Sequence, residues 1–330
     1  MQVGIVGVSG YGGSELLRIC VGHPAFKVAY VGADRSAGRR LGERFPALAG
    51  RPEGELVIQR FVPEETRGLD LLFASLPTGA SRDLLARVPA SVKIVDVGGD
   101  HRFVEGWAYG LTELPGQRPR IARSPRVANP GCYAAAALLA LAPLVKEGLV
   151  EPEGIVVDAK SGITGTGRGA VGDYGYVETN EDVFPYGIES HPHVPEIEKA
   201  LAQVGGRAAA LAFTAHLVPM SRGILATCYA RPRGAAQAAR LYDAARACYD
   251  GEPFVKIVPN EGGRGPHTSW STGSNLAFLS YAVNARTGLV LAFGAIDNLG
   301  KGAAAQAVQN ANVLTGQPET AGLAGLPLLI

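Results

Sequence analysis

A short apolar run at residues 3–8 passes directly into Gly7-Val8-Ser9-Gly10-Tyr11-Gly12-Gly13, and residues 14–20 then read as a helix. Strand, glycine turn and helix in that order are the opening of a dinucleotide-binding βαβ unit, and they leave few other folds open. The glycines let the backbone approach a pyrophosphate, which rests on the unpaired N–H groups at the helix N-terminus. The spacing Gly7, Gly10, Gly13 is GxxGxxG instead of GxGxxG. Gly7, Ser9, Gly10, Tyr11 and Gly12 are the expected cofactor contacts, with a plain tight turn as the alternative.

The next strand, at residues 27–31, ends in Gly32-Ala33-Asp34-Arg35-Ser36. An acidic residue here suits the ribose diol of NAD, and an arginine suits the 2′-phosphate of NADP. The chain offers both. Arg39 and Arg40 follow closely, so the guanidinium cluster favours NADP through Arg35 and Ser36, while Asp34 argues the other way. Apolar runs at 69–76 and 92–97 end in Pro77-Thr78-Gly79 and Gly98-Gly99-Asp100. Strands alternating with helical stretches predict a parallel, doubly wound sheet. Ligands bind such sheets at the carboxyl ends of the strands, which adds Ser75 and Pro77 to the cofactor contacts.

Asn129-Pro130-Gly131-Cys132-Tyr133 precedes an alanine-rich apolar run at 134–144. Pro and Gly break the chain and Ala/Leu then favour helix, so the sulfur falls at or near a helix N-terminus. The positive end of the helix dipole favours thiolate there, and such cysteines have pKa values of roughly 3.5–7.5 against about 8.5 for a free thiol. A nucleophile is one reading and a small buried hydrophobe the other.

Beyond this point the pattern changes. Residues 155–161 read as a strand, and the loop 162–168, ending at Arg168, offers hydroxyls and bare backbone suited to an oxyanion. Runs at 213–218, 224–230, 277–284 and 289–295 are further strands, which predicts an α+β domain with an antiparallel or mixed sheet. His191-Pro192-His193-Val194-Pro195-Glu196-Ile197 leads into a helix reaching about Gln203. Two imidazoles at a helix start suit proton transfer near neutral pH. His216, inside a strand pattern, reads as structural. Arg222, at a tight turn, meets an anionic substrate or caps a loop. Asn298 carries an amide able to pair with a nicotinamide carboxamide, and residues 303–314 read as a helix.

Bulk properties exclude several classes. Lys+Arg 31 against Asp+Glu 30 gives a net charge of +1, so no overall field steers the chain to nucleic acid or a membrane. No apolar run nears the ~20 residues that span a bilayer. Cys20, Cys132, Cys228 and Cys248 form no CxxC pair, which argues against zinc and disulfides. No signal-like segment precedes the first strand, so a reducing cytoplasm is the expected compartment.

Taken together, these blocks resemble the N-acetyl-gamma-glutamyl-phosphate reductases of arginine biosynthesis over essentially the whole chain. The resemblance is carried by residues 7–13, 129–133, 160–168, 191–197, 213–224 and 296–302. It implies a Rossmann-type domain at 1–131, to which a C-terminal helix within 303–330 returns. It also implies a catalytic and oligomerisation domain at 132–302, similar to aspartate-semialdehyde and glyceraldehyde-3-phosphate dehydrogenases. By resemblance the cofactor is NADP(H), held also by Ser161, Gly162 and Asn298. The substrate is a small acyl phosphate, held by Asn129, Arg168, Arg222 and Glu196. The nucleophile is Cys132, the acid–base is His193 or His191, no metal takes part, and the assembly is a homo-oligomer, dimer or tetramer. The chain departs from the family at Thr78, at Gly98-Gly99-Asp100-His101-Arg102 and at Asp34, the last bearing on NADP preference. A carrier-linked aminoadipyl-phosphate reductase and a non-catalytic NADP-binding redox sensor are the competing functions.

Overall fold

The structure is a computed structural model that describes residues 1–168 and 174–327. The chain divides into two compact units. Unit one comprises Met1–Thr112, Gln117–Pro130 and Ala303–Ala324; unit two comprises Glu113–Gly116, Gly131–Gly302 and the residues from Gly325.

Unit one is built on a wholly parallel sheet of β1 (Gln2–Val6), β2 (Lys27–Gly32), β3 (Leu71–Ala74), β4 (Lys93–Asp96), β5 (Ala108–Tyr109) and β6 (Arg126–Ala128). The strand order is β2-β1-β3-β4-β6-β5. Strands covered on both faces show continuous apolar runs, which is why β1 and β3 were visible in the sequence. All four residues of β3 are fully buried.

Unit two holds a mixed sheet of β7 (Glu153–Gly162), β8 (Phe184–Tyr186), β9 (Ala210–Val218), β10 (Ile224–Ala230), β11 (Val255–Ile257), β12 (Ala277–Val283) and β13 (Val290–Ile296). Its order is β11-β12-β13-β10-β7-β9-β8, with β7/β9 and β11/β12 parallel and the other neighbours antiparallel.

The helices are α1 (Tyr11–Val21), α2 (Leu41–Arg44), α3 (Ser81–Ala86), α4 (Gln117–Arg123), α5 (Cys132–Lys146), α6 (Tyr176–Thr179), α7 (His193–Gly205), α8 (Ala238–Tyr249) and α9 (Ala305–Thr315). A parallel pair needs a crossover, and α7 supplies it between β7 and β9. Helix α8 breaks up what reads in the sequence as uninterrupted strands: Leu241 is its one large aliphatic residue, and Arg240, Asp243 and Arg246 interrupt its alanines, so no run of large hydrophobes marks it. Helix α9 belongs to unit one. It starts two residues later than the sequence predicts, because Gly300–Ala304 forms a wider π-type turn first.

Helix α5 is apolar on all sides, and every residue from Tyr133 to Val145 is buried. It contains Pro143, which has no N–H for the Leu139 carbonyl one turn earlier. The Tyr249 hydroxyl, at the end of α8, donates to that carbonyl at 2.7 Å. A buried acceptor left open by one helix is thus filled by another.

Candidate functional sites

In unit one the glycine turn lies at the carboxyl end of β1. Gly7 has φ +82°, a conformation that L side chains rarely adopt, and its missing Cβ makes room for the Ser75 carbonyl oxygen. Gly10 is the N-cap of α1 and Tyr11 its first residue, and no side chain caps the helix. Its first N–H groups are therefore directed at the turn, the arrangement that suits a pyrophosphate. Gly12 follows in the first turn. Ser9 Oγ donates to Ser36 Oγ at 2.8 Å, which ties the glycine turn to the loop after β2. Arg35 is exposed on that loop, and Pro77 is exposed after β3.

Beside Pro77, Asp100 accepts from Gly79 N–H at 2.6 Å and from Ser81 N–H at 2.9 Å, capping α3. Burial works against its charge, but these hydrogen bonds outweigh it and hold the carboxyl below its usual range. Asp96, at the end of β4, bonds His101 Nδ1 at 2.6 Å, and His101 stacks on Trp107. Arg102 Nε donates to the Asn129 carbonyl at 3.0 Å. Arg102 is a residue the sequence did not single out, because nothing local links position 102 to position 129.

Asn129 itself is fully buried. Its Nδ2 donates to the Ala303 carbonyl at 3.1 Å and its Oδ1 accepts from Asn310 Nδ2 at 2.9 Å. Asn310 also bonds the Gly110 carbonyl at 2.7 Å and Thr112 Oγ1 at 3.0 Å. The Asn129 amide is therefore committed to α9 and its approach, although the sequence places it on the substrate.

In unit two Cys132 is the first residue of α5, half-buried, with Gly131 as N-cap. The Gly131 N–H donates to Glu196 Oε1 at 2.8 Å. Glu196 is buried and lies three residues beyond His193, the first residue of α7. Residues so spaced share a helix face. One carboxylate thus joins the turn that carries the sulfur to the turn that carries an imidazole. Gly302 completes the surroundings: a Cβ there would lie 2.8 Å from Cys132 Cβ, so the loop passes directly against the cysteine.

The two histidines differ. His191 Nδ1 accepts the His193 N–H at 3.2 Å, and its ring lies among Tyr133, Tyr186 and Phe213. Burial lowers its pKa from 6.5 to about 4, so it is neutral at physiological pH. The Tyr186 hydroxyl donates to Tyr133 Oη at 3.0 Å, and Tyr133 donates to the His216 carbonyl at 3.1 Å. Burial pushes Tyr186 up to about 12, with the charge at Cys132 adding to the effect. Tyr133 moves in the same direction for the same leading cause. The sequence displays Tyr133 beside the cysteine, but it gives no sign that Tyr186 and Phe213 converge there.

The hydroxyls after β7 are already occupied. Ser161 Oγ donates to the Gly162 carbonyl at 3.0 Å, Thr164 Oγ1 to Ser221 O at 2.6 Å, and Thr166 Oγ1 to Ile163 O at 2.8 Å. Arg168 is exposed at the end of this part of the loop. Asn298 is buried: its Oδ1 accepts the Gly223 N–H at 2.7 Å and its Nδ2 donates to Thr164 at 2.9 Å. Arg222 Nε lies 3.0 Å from Asp297 Oδ2, and Asp297 also accepts the N–H groups of Leu299 and Gly300. His216 Nδ1 lies 3.1 Å from Asp158 Oδ1.

A parallel nucleotide-type sheet unit joined to a mixed-sheet unit that presents a helix-terminal cysteine defines the semialdehyde dehydrogenase class. The family model for the semialdehyde dehydrogenase NAD binding domain matches residues 2–122, and that for the semialdehyde dehydrogenase dimerisation domain matches residues 132–298. Aspartate semialdehyde dehydrogenase II of Vibrio cholerae, solved in complex with ASA, has the same fold. Its TM-score is 0.76 at 16% identity, over 96% of this chain and 98% of that one. The aspartate semialdehyde dehydrogenase of Candida albicans, solved with NADP, reaches 0.75 at 16% identity, over 95% and 98%. Much nearer in sequence are the N-acetyl-gamma-glutamyl-phosphate reductases of Bradyrhizobium sp. strain ORS 278 and Methylobacterium sp. strain 4-46. Each is 55% identical, over 99% of this chain and 99% of the relative. The chain belongs to the N-acetyl-gamma-glutamyl-phosphate reductase family.

Proposed function

We propose that this protein reduces N-acetyl-gamma-glutamyl phosphate to N-acetyl-glutamate 5-semialdehyde and phosphate with NADPH, as a step of arginine biosynthesis. The observation that carries the reading is Cys132 at the head of α5, joined through Glu196 to the His193 end of α7. Its sulfur meets the positive end of the α5 dipole.

The Cys132 thiolate attacks the acyl carbon and phosphate leaves, forming a thioester; covalent catalysis splits one hard step into two easier ones. When bound, a nicotinamide cofactor would supply the hydride that reduces this thioester. His193 donates a proton to the resulting oxyanion and takes it back as the thiohemiacetal collapses to aldehyde and thiolate. N–H groups in the first turn of α5 stabilise the oxyanion, worth about 2.7–4 kcal/mol for each well-placed donor.

His191 does not titrate in this cycle. It holds the His193 backbone and stays neutral. Glu196, Asn129 and Asn298 act as positioning residues, because their polar atoms are engaged within the protein. Arg222 and Arg168 face the anionic groups of the substrate. The glycine turn, the uncapped start of α1 and the loop after β2 fit a dinucleotide, with Arg35 on the 2′-phosphate. The enzyme works as a homo-oligomer, a dimer or tetramer, in a reducing cytoplasm where Cys132 stays reduced.

Run in reverse, the enzyme reduces NADP only when both the aldehyde and phosphate are present. Cys132→Ser abolishes this turnover while NADPH still binds, as measured by nicotinamide fluorescence. Near-normal rates in the Ser variant would rule out the thioester route.

A further inference from the structure

The loop after β2 does not carry the free arginine cluster that its sequence suggests. Arg40 donates to Glu55 at 2.8 Å, and Arg39 Nε lies 3.9 Å from Glu43. Two of the three guanidinium groups are thus matched by carboxylates of neighbouring residues. What remains is one group of each sign. Asp34 and Arg35 are adjacent and exposed, and neither side chain makes a hydrogen bond or ion pair with any described residue. The loop that carries them is fixed to the glycine turn of the same unit by the Ser9–Ser36 bond and by Gly7 N–H donating to the Gly32 carbonyl at 2.8 Å.

We propose that Asp34 is a specificity-determining residue that lets the enzyme use NADH as well as NADPH. The inference rests on the reading of unit one as a nicotinamide-dinucleotide site. The Asp34 carboxylate accepts hydrogen bonds from the ribose hydroxyls of NADH, and the Arg35 guanidinium binds the 2′-phosphate of NADPH. Strict rejection of either form requires a buried polar group that the wrong ligand leaves unpaired, or an unopposed charge that repels it. Neither condition holds here. Both side chains are in water, where whichever is unused stays solvated, and where repulsion between Asp34 and a 2′-phosphate is weakened by the high dielectric and by salt.

The test is titration of the full-length protein with NADH and with NADPH, without acyl substrate, following nicotinamide fluorescence. The two Kd values are expected to lie within about 30-fold of one another. Asp34→Ser weakens NADH by about tenfold or more, as expected for a lost hydrogen bond to a charged group, and tightens NADPH. Arg35→Ser weakens NADPH by a similar factor and so shifts the ratio the opposite way. Circular dichroism confirms that each variant is folded. A wild-type preference for NADPH beyond about a thousandfold, or an Asp34→Ser variant with both Kd values unchanged, overturns the proposal. If NADPH binds and NADH does not, only this inference fails. If neither binds, the nicotinamide reading of unit one fails along with it.

Discussion

His191 and His193 sit two positions apart, yet burial and one hydrogen bond separate their properties. His191 spends its Nδ1 lone pair on the His193 N–H, and aromatic rings surround it. Its folded pKa of about 4 lies below the 6.5 of an ordinary histidine. Between these values the unfolded chain binds a proton that the folded chain refuses. Stability from this group is therefore complete above pH 6.5 and is lost progressively as pH falls toward 4. Replacing His191 with Asn removes this source of pH dependence, which shows as a flatter plot of urea midpoint against pH over that window. A wild-type plot already flat there would contradict the neutral assignment. None of this was visible in the chain, because the two imidazoles look equivalent until Tyr133, Tyr186 and Phe213 are brought around one of them.

At the scale of single elements, Pro143 in α5 is compensated by Tyr249 in α8. Tyr249→Phe leaves the buried Leu139 carbonyl unpaired and costs about 1–3 kcal/mol. In a Pro143→Ala background the restored N–H at position 143 meets that carbonyl, so the same change costs clearly less. A double-mutant cycle in urea measures the difference, and equal costs in both backgrounds would show that the carbonyl does not depend on Tyr249. Legibility follows the same division between local and distant. Helix α5 and strand β10 were readable because their signals are contiguous, an alanine run and an apolar run, whereas α1 begins at Tyr11, three residues before the predicted 14–20 and inside the glycine-rich stretch. Strand β8 and helix α8 were not readable, since β8 is three residues long at a sheet edge and in α8 charged residues break a run of mostly small alanines. The seat of Cys132 at a helix start was local and visible. Its link to Glu196 spans 65 positions, and the Asn129–Asn310 bond spans 181. Nor does the sequence show that Glu43 and Glu55 turn toward two members of the Arg35, Arg39 and Arg40 cluster.

For the whole molecule, the chain passes between the two units five times, at 112/113, 116/117, 130/131, 302/303 and 324/325. Within unit two Lys301 forms a fully buried ion pair with Glu113, and its ammonium stands 5.4 Å from the Phe254 ring centre. Taking two charges out of water costs about as much as their attraction returns, but removing one partner strands the other. Lys301→Met is therefore expected to destabilise unit two by about 3–5 kcal/mol, and adding Glu113→Leu recovers most of the loss. Trp270 fluorescence during urea unfolding reports on that unit. A double variant no better than the single one would show that the pair is not the source of the cost.

Helix α9 gives unit one an unusual history during synthesis. His23 is bonded to Asn312 at 3.0 Å, Lys93 to the Leu314 carbonyl at 3.1 Å, and Asn129 to Asn310. These partners are translated only after Gly131–Gly302 of the other unit, so the unit begun first is the one that must wait to close. The later-made mixed-sheet unit has its main segment in hand before the opening lobe receives its final helix. Premature termination of translation near residue 303 would therefore damage the amino-terminal lobe, far back along the message from the stop.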